Sequence, residues 1–200
     1  AVTYLKGRYR EDDTFLEFAE IIQQEITNLD TFISGFLSTS MDDYDPGAVD
    51  LQGLLRRIET IISLQSAAAG VEVTLVCEGS LLVRMNRFQV EHALLNILNN
   101  ALQALPEGGH VVIESSVEQV AGKEMVQISI SDDGPGMPRG EVTRAGLSRI
   151  SSDRRGRGFG LFLAREVFQK HGGFLEIHSE QGKGTRVVVG LPLVGESSSR

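Results

Sequence analysis

The segment from residue 87 to residue 105 constrains the fold more than any other. It is strongly apolar yet carries three asparagines, Asn96, Asn99 and Asn100, within about one and a half turns. Helical spacing puts Val90, Leu94, Ile97, Ala101 and Leu105 on a core-facing side, and His92, Asn96, Asn100 and Gln103 on another. Asparagine is a poor helix former, costing up to ~0.7 kcal/mol relative to alanine. Two uses of these amides are open. They are solvated or bond one another, or their oxygens coordinate a hard cation such as magnesium while their NH2 groups donate to phosphate.

Around this helix the pattern alternates. Residues 51–69 predict an amphipathic helix ending at Gly70, and Val71–Cys77 and Leu81–Arg84 read as short strands. His110–Val117 and Met125–Ser131 predict a hairpin around Ala121-Gly122. Residues 133–158 read as a long loop, followed by a helix over Leu161–Lys170 that Gly172-Gly173 stops. Phe174–His178 and Thr185–Leu191 are final strands around the turn Gln181-Gly182-Lys183-Gly184. Short hairpin connections imply antiparallel pairing, and the mixture of elements predicts a two-layer α/β sandwich, a mixed sheet covered by helices. Ahead of it, residues 11–41 predict one long helix, since Phe15, Ile22, Leu29 and Phe36 recur every seven residues. Asp42–Gly47 then reads as a linker. The expected organisation is residues 1–46 as a helical piece, 47–194 as the main domain and 195–200 as a disordered tail.

With 41% apolar residues the chain can build a core. No apolar run approaches the ~18 residues needed to span a bilayer, and the start is polar and basic without a secretory signal. No membrane contact by this fragment is expected, and a cytoplasmic location is, although a longer parent could be membrane-anchored. The single cysteine, Cys77, lies in a strand pattern and reads as an inert buried thiol. A net charge of −8 argues against nucleic-acid binding. Yet residues 139–157 hold six arginines (139, 144, 149, 154, 155 and 157) against Glu141 and Asp153. Such a segment in an acidic chain suits a small anionic ligand; it is equally the composition of a solvated loop.

Three glycine-rich segments follow the asparagine helix. Asp132-Asp133-Gly134-Pro135-Gly136 closes a strand, where an acid can accept from an exocyclic amine and glycines let a flat ring approach the backbone. Gly156-Arg157-Gly158-Phe159-Gly160-Leu161 opens a helix, whose first N–H groups and dipole favour phosphate. Gly182-Lys183-Gly184-Thr185 enters a strand. The second segment is not a P-loop, because no Gly-Lys-Ser/Thr opens a helix, and it lies too late in the chain for a dinucleotide fingerprint.

In this order the segments resemble the ATPase superfamily shared by gyrase, the Hsp90 chaperones, histidine kinases and MutL, over roughly residues 47–193. The resemblance implies a Bergerat-type ATP-binding fold that takes ATP and Mg2+. It implies that Asn100 ligates magnesium and that Asn96 supports phosphate or metal, both serving catalysis. It makes Asp132 the acid that reads the adenine amino group, with Gly134 and Gly136 lining the base pocket. Gly156, Gly158, Gly160 and Leu161, with Arg157 between the glycines, look like the box that closes over the phosphates. Gly184 and Thr185 look like the final box.

Within that superfamily the kinase branch is the best match. The gyrase, Hsp90 and MutL branch has a glutamate base four residues before the metal-binding asparagine, and here that position is Asn96. The helix over 11–41 resembles the second helix of a dimerisation and histidine-phosphotransfer hairpin. The resemblance implies a homodimer through that helix, a response regulator receiver domain as partner, and a phospho-accepting histidine upstream of residue 1. His92, His110, His171 and His178 are then structural or surface residues. Two departures stand out: Ala145-Gly146-Leu147-Ser148 replaces a Phe-rich box, and Gln103 replaces a basic residue. The expected function is the catalytic part of a two-component sensor histidine kinase. The competing readings are a catalytically degenerate nucleotide-binding module, an ATP-hydrolysing clamp, and a serine kinase resembling anti-sigma factors.

Overall fold

A computed structural model describes residues 46–142 and 159–193, apart from residues 78, 80 and 121. The expected helix over 11–41, the arginines 144–157, Gly156, Gly158 and the tail 195–200 lie outside the described residues. The chain divides into two units, residues 1–41 and 42–200, and the description concerns the second.

That unit opens on β1 (Gly47–Asp50), where the sequence reads as the end of a linker. Asp50 caps α1 (Leu51–Ala69), its carboxylate accepting from the N–H groups of Gln52 and Gly53. Gly70 ends the helix in the left-handed conformation at φ 69°, as the glycine there predicts. Then come β2 (Val71–Cys77), β3 (Leu82–Met85) and α2 (Arg87–Gln103), the asparagine-bearing helix. β4 (Gly109–Val120) and β5 (Lys123–Asp132) form the expected hairpin. One turn of helix, α3 (Arg139–Val142), interrupts the stretch that reads as continuous loop; its proline-led sequence and single turn leave no periodicity to read. α4 (Phe159–Lys170), β6 (Phe174–Glu180) and β7 (Gly184–Pro192) complete the fold.

The main sheet has five strands in the order β2-β4-β5-β7-β6. Three of its pairings are antiparallel, as the hairpins require, but β2 runs parallel to β4 because β3 and α2 intervene between them. β3 pairs instead with β1 in a small second sheet. One face of the main sheet is apolar by strict alternation: Val111, Ile113, Val126, Ile128, Ile130, Val187, Val189 and Leu191 are all buried. They form one cluster with Leu54, Ile58 and Ile62 of α1, Val90, Leu94, Ile97, Ala101 and Leu105 of the α2 segment, and Ala164 and Phe168 of α4. The predicted core side of α2 is therefore the observed one, and the fold is the expected α/β sandwich. Cys77 sits partly buried against this core.

His171 ties two helices together at the end remote from the glycine boxes. Its Nδ1 lies 2.7 Å from the Val167 carbonyl, one turn back at the end of α4. Its Nε2 accepts from the backbone N–H of Asn86, at 2.9 Å. Both bonds together require the neutral ring protonated on Nδ1. Asn86 is itself the N-cap of α2, accepting from the Gln89 N–H at 3.1 Å, and is only 6% exposed. Replacing His171 by alanine strands that buried N–H, so His171→Ala should cost about 1–3 kcal/mol. Urea unfolding of the two proteins at neutral pH measures it; a difference below ~0.5 kcal/mol would contradict the bridge.

Candidate functional site

The apolar alternation of the sheet ends in a polar row. Along β5, Val126, Ile128 and Ile130 face the helices, so the same parity points Asp132 to that face at the strand's end. In register, Asp132 stands opposite Thr185 of β7, and Thr185 opposite Ser179 of β6. Directly opposed residues share a face. Asp132, Thr185 and Ser179 therefore form the row beyond Ile130, Val187 and Ile177, at the rim of the sandwich.

Asp132 is half-buried. Its Oδ1 accepts from the backbone N–H of Gly134 at 3.0 Å and of Thr185 at 3.3 Å. Oδ2 takes no partner among the described residues. Burial pushes the carboxyl above its ordinary value, the two N–H donors oppose that rise, and the nearby Asp133 charge adds to it. The side chain thus has one oxygen committed to the scaffold and one open to a donor.

Asp133 fastens the strand end that carries Asp132. Its Oδ1 accepts from the His110 N–H at 2.7 Å, in the place a ladder carbonyl would take. Its Oδ2 lies 2.8 Å from His110 Nδ1, and its own N–H donates to the His110 carbonyl at 3.3 Å. The His110 N–H first, and then the ring, hold the Asp133 carboxyl below its ordinary value. The hydrogen bond and charge of Asp133 hold the His110 ring above 6.5, with Glu72, 3.8 Å from Nε2, adding to it.

The loop after Asp133 packs on the β6–β7 turn. Gly136 adopts φ 63°, and a Cβ there would strike the carbonyl of Glu180. Gly184, at φ 90°, lies against the Asp132 carbonyl in the same manner. The Gly182 N–H donates to the Pro135 carbonyl at 2.7 Å, and the Met137 N–H donates to Ser179 Oγ at 2.8 Å. The two outer glycine segments are thereby one structure. Gly134 is buried between Asp132 and the Ala104 carbonyl at the end of α2.

Asn96 and Asn100 lie half-buried on α2, and neither amide is hydrogen-bonded among the described residues. The alternative that they bond each other is not what the fold adopts. Gly160, in the first turn of α4, faces them: a Cβ there would come to 3.7 Å from Asn96 Cβ and 3.8 Å from Asn100 Nδ2. Its missing side chain leaves that space in front of the two amides. Leu161 is partly buried against the core, and Gly156, Arg157 and Gly158 lie outside the described residues. Gln103 is exposed. Three residues escaped the sequence reading: Ser179, Asp133 and His110. Ser179 was discoverable, because the turn over Gln181–Gly184 sets it opposite Thr185.

The pair formed by His110 and Asp133 makes stability depend on pH. Asp133's share is present above pH 3.8 and is lost as pH falls through its lowered pKa. His110's share is full below pH 6.5 and is lost as pH rises through its raised pKa. The difference in Tm between the wild type and Asp133→Asn should therefore be widest between pH 3.8 and 6.5 and narrow on both sides. A difference that stays constant from about pH 3 to about pH 9 would contradict it.

Residues 85–195 match the family described as histidine kinase-, DNA gyrase B-, and HSP90-like ATPase. Sporulation kinase D of Bacillus subtilis is 28% identical over 195 residues, covering 96% of this chain and 38% of its own length. The chain spans from 38% to 52% of the length of the first three curated relatives it matches. The catalytic domain of the histidine kinase ThkA superposes with a TM-score of 0.66 at 20% identity, over 75% of this chain and 97% of that one. Full-length ShkA, solved in complex with AMPPNP, gives 0.70 at 21% identity, over 92% of this chain and 39% of that one. The chain belongs to the histidine kinase-, DNA gyrase B-, and HSP90-like ATPase family, and its described part is a nucleotide-binding catalytic domain of the sensor histidine kinase type.

Proposed function

We propose that this domain binds Mg-ATP and presents its γ-phosphate to a protein histidine for relay to a response regulator. One observation carries the reading. A single helix, α2, bears two amides without a hydrogen bond among the described residues, opposite Gly160, and ends against the loop that holds Asp132. From Asn96 to Ala104 the helix rises about 12 Å at 1.5 Å per residue, the scale of a nucleotide between base and phosphates. The neighbour ShkA was solved with an ATP analogue, AMPPNP.

On this reading Asp132 Oδ2 accepts from the adenine amino group, and Gly134 and Gly136 border the base. Gly184 and Thr185 complete that pocket. Gly160 and Leu161, with Gly156, Arg157 and Gly158, close over the phosphates, where helix N–H groups favour negative charge. Among the described residues no group of three or more His, Cys, Asp or Glu could hold a metal ion. The available donors are amides, which suits a cation that arrives on the phosphates. Magnesium so bound would neutralise charge on the transferring phosphoryl group, with Asn100 as its protein ligand and Asn96 beside it.

On this reading α2 offers no base for hydrolysis by water. The only carboxylate of α2, Glu91, is engaged by Arg57 at 3.0 Å and lies near Arg87 at 3.8 Å. The histidines of the chain are poor acceptors too. His171 uses both ring nitrogens, His110 lies between Asp133 and Glu72, His178 lies 3.4 Å from Glu176, and His92 packs against Phe88 with ring centroids 4.3 Å apart and planes tilted by 48°. On this reading the acceptor comes from outside this sequence, and the helix expected over residues 11–41 would join two copies.

The test is phosphotransfer. A longer protein that carries this chain with its upstream sequence, given ATP and magnesium, should form acid-labile phosphohistidine. Nucleotide binding without transfer would sink the kinase reading. Asn100→Ala should lower transfer at least ~100-fold. Asp132→Asn should weaken ATP binding about 10- to 100-fold, the worth of a hydrogen bond to a charged acceptor. Because burial raises the Asp132 pKa, ATP affinity should fall with pH, starting above the ordinary 3.8. In Asp132→Asn that acid limb should vanish; calorimetric titrations across the range read both.

A further inference from the structure

Ser179 belongs to no glycine segment, yet its hydroxyl joins three of the site's elements. Its Oγ accepts from the Met137 N–H at 2.8 Å, lies 3.0 Å from the Gly184 carbonyl and 2.9 Å from Thr185 Oγ1. A serine hydroxyl has one proton and two lone pairs. The Gly184 carbonyl can only accept, so the serine proton goes to it. The Met137 N–H can only donate, so it occupies one lone pair. The remaining lone pair can be filled only by the proton of Thr185. The direction of every bond in the chain Thr185–Ser179–Gly184 follows from this count.

Thr185 has no other hydrogen-bond partner for its hydroxyl among the described residues. With its proton committed to Ser179, its oxygen can only accept from anything that enters the pocket. Its cross-strand neighbour Asp132 likewise offers only an open carboxylate oxygen. We propose that Ser179 is a specificity-determining positioning residue: by taking the Thr185 proton it makes this edge of the pocket all-acceptor, so that the site selects 6-amino over 6-oxo purine nucleotides. The proposal rests on the reading of Asp132 as the residue that meets the base.

The chemistry of the two ligand classes supplies the selection. A 6-amino group carries two N–H donors, which Asp132 and Thr185 can accept, directly or through one bridging water. A 6-oxo purine brings one N1–H, which only one of the two acceptors can take, and turns the lone pairs of its oxygen toward the other. A threonine free to rotate its proton would donate to that oxygen and soften the rejection. Sites that pair a ligand's polar group discriminate strongly against an analogue that leaves them unpaired.

The test is the ratio of Kd for inosine triphosphate to Kd for ATP, measured by calorimetry on the whole chain. The wild type should favour ATP, and Ser179→Ala should lower the ratio by about tenfold, chiefly through tighter inosine triphosphate binding. Ser179→Thr, which keeps a hydroxyl, should restore it. Thr185→Val should also lower the ratio, and adding Ser179→Ala to it should change nothing further. Equal weakening of both nucleotides by Ser179→Ala, with the ratio intact, would make Ser179 a purely structural residue and overturn the proposal. If Ser179→Ala does not fold, an unchanged ratio in Thr185→Val overturns it instead. Failure of the underlying reading looks different: Asp132→Asn would then leave ATP binding untouched.

Discussion

A carboxylate set at the rim of an apolar layer needs donors, and the site is organised around supplying them to Asp132. Its Oδ1 accepts two backbone N–H groups, one from the loop that follows β5 and one from the neighbouring strand β7. Those two bonds join the first glycine segment to the last across the sheet. They also decide which oxygen stays open. Without them the half-buried charge would lose the two donors that oppose its desolvation. The loop over residues 134–137 and the turn over residues 181–183 then have no slack: Gly136 and Gly184 each approach a backbone carbonyl too closely for a side chain.

The same economy governs the other end of the site. α2 is a core helix on one side and presents two open amides on another, and it does both without a charged group at its centre. Leu94 and Ile97, at 0% and 1% exposure, sit within the turn that presents Asn96. Amides are the polar groups that tolerate such a position, because leaving them unbonded costs less than leaving an ion unpaired. A helix of this kind can hold a ligand's charge without adding its own, which separates it from a metal site built on carboxylates.

Much of this was legible in the sequence, for identifiable reasons. The core side of α2, the cap at Gly70 and the hairpin of β4 and β5 rest on periodicity and on glycine's access to left-handed backbone, which are local properties. β1 was not legible: four residues paired to β3 leave no pattern, and their partner lies more than thirty residues away. The parallel β2–β4 pairing is equally non-local. In the site, Asp132 and the asparagines stood out because each breaks an apolar pattern. Asp133 did not, since Asp-Asp-Gly reads as an ordinary turn, and only the register beside His110 turns it into a ladder partner. His171 read as a helix-end residue; that it accepts from the N-cap residue of a different helix required the tertiary fold.

The bridge made by His171 gives α4 unequal ends. Its last turn is fastened to the start of α2, while its first turn meets α2 through Gly160, which has no side chain to interlock. Sliding α4 along its axis would break the imidazole's bond to Asn86, while its bond to Val167 would travel with the helix. In mechanical terms His171 is the fixed point of α4, and Gly160, beside Asn96 and Asn100, lies at the end farthest from it.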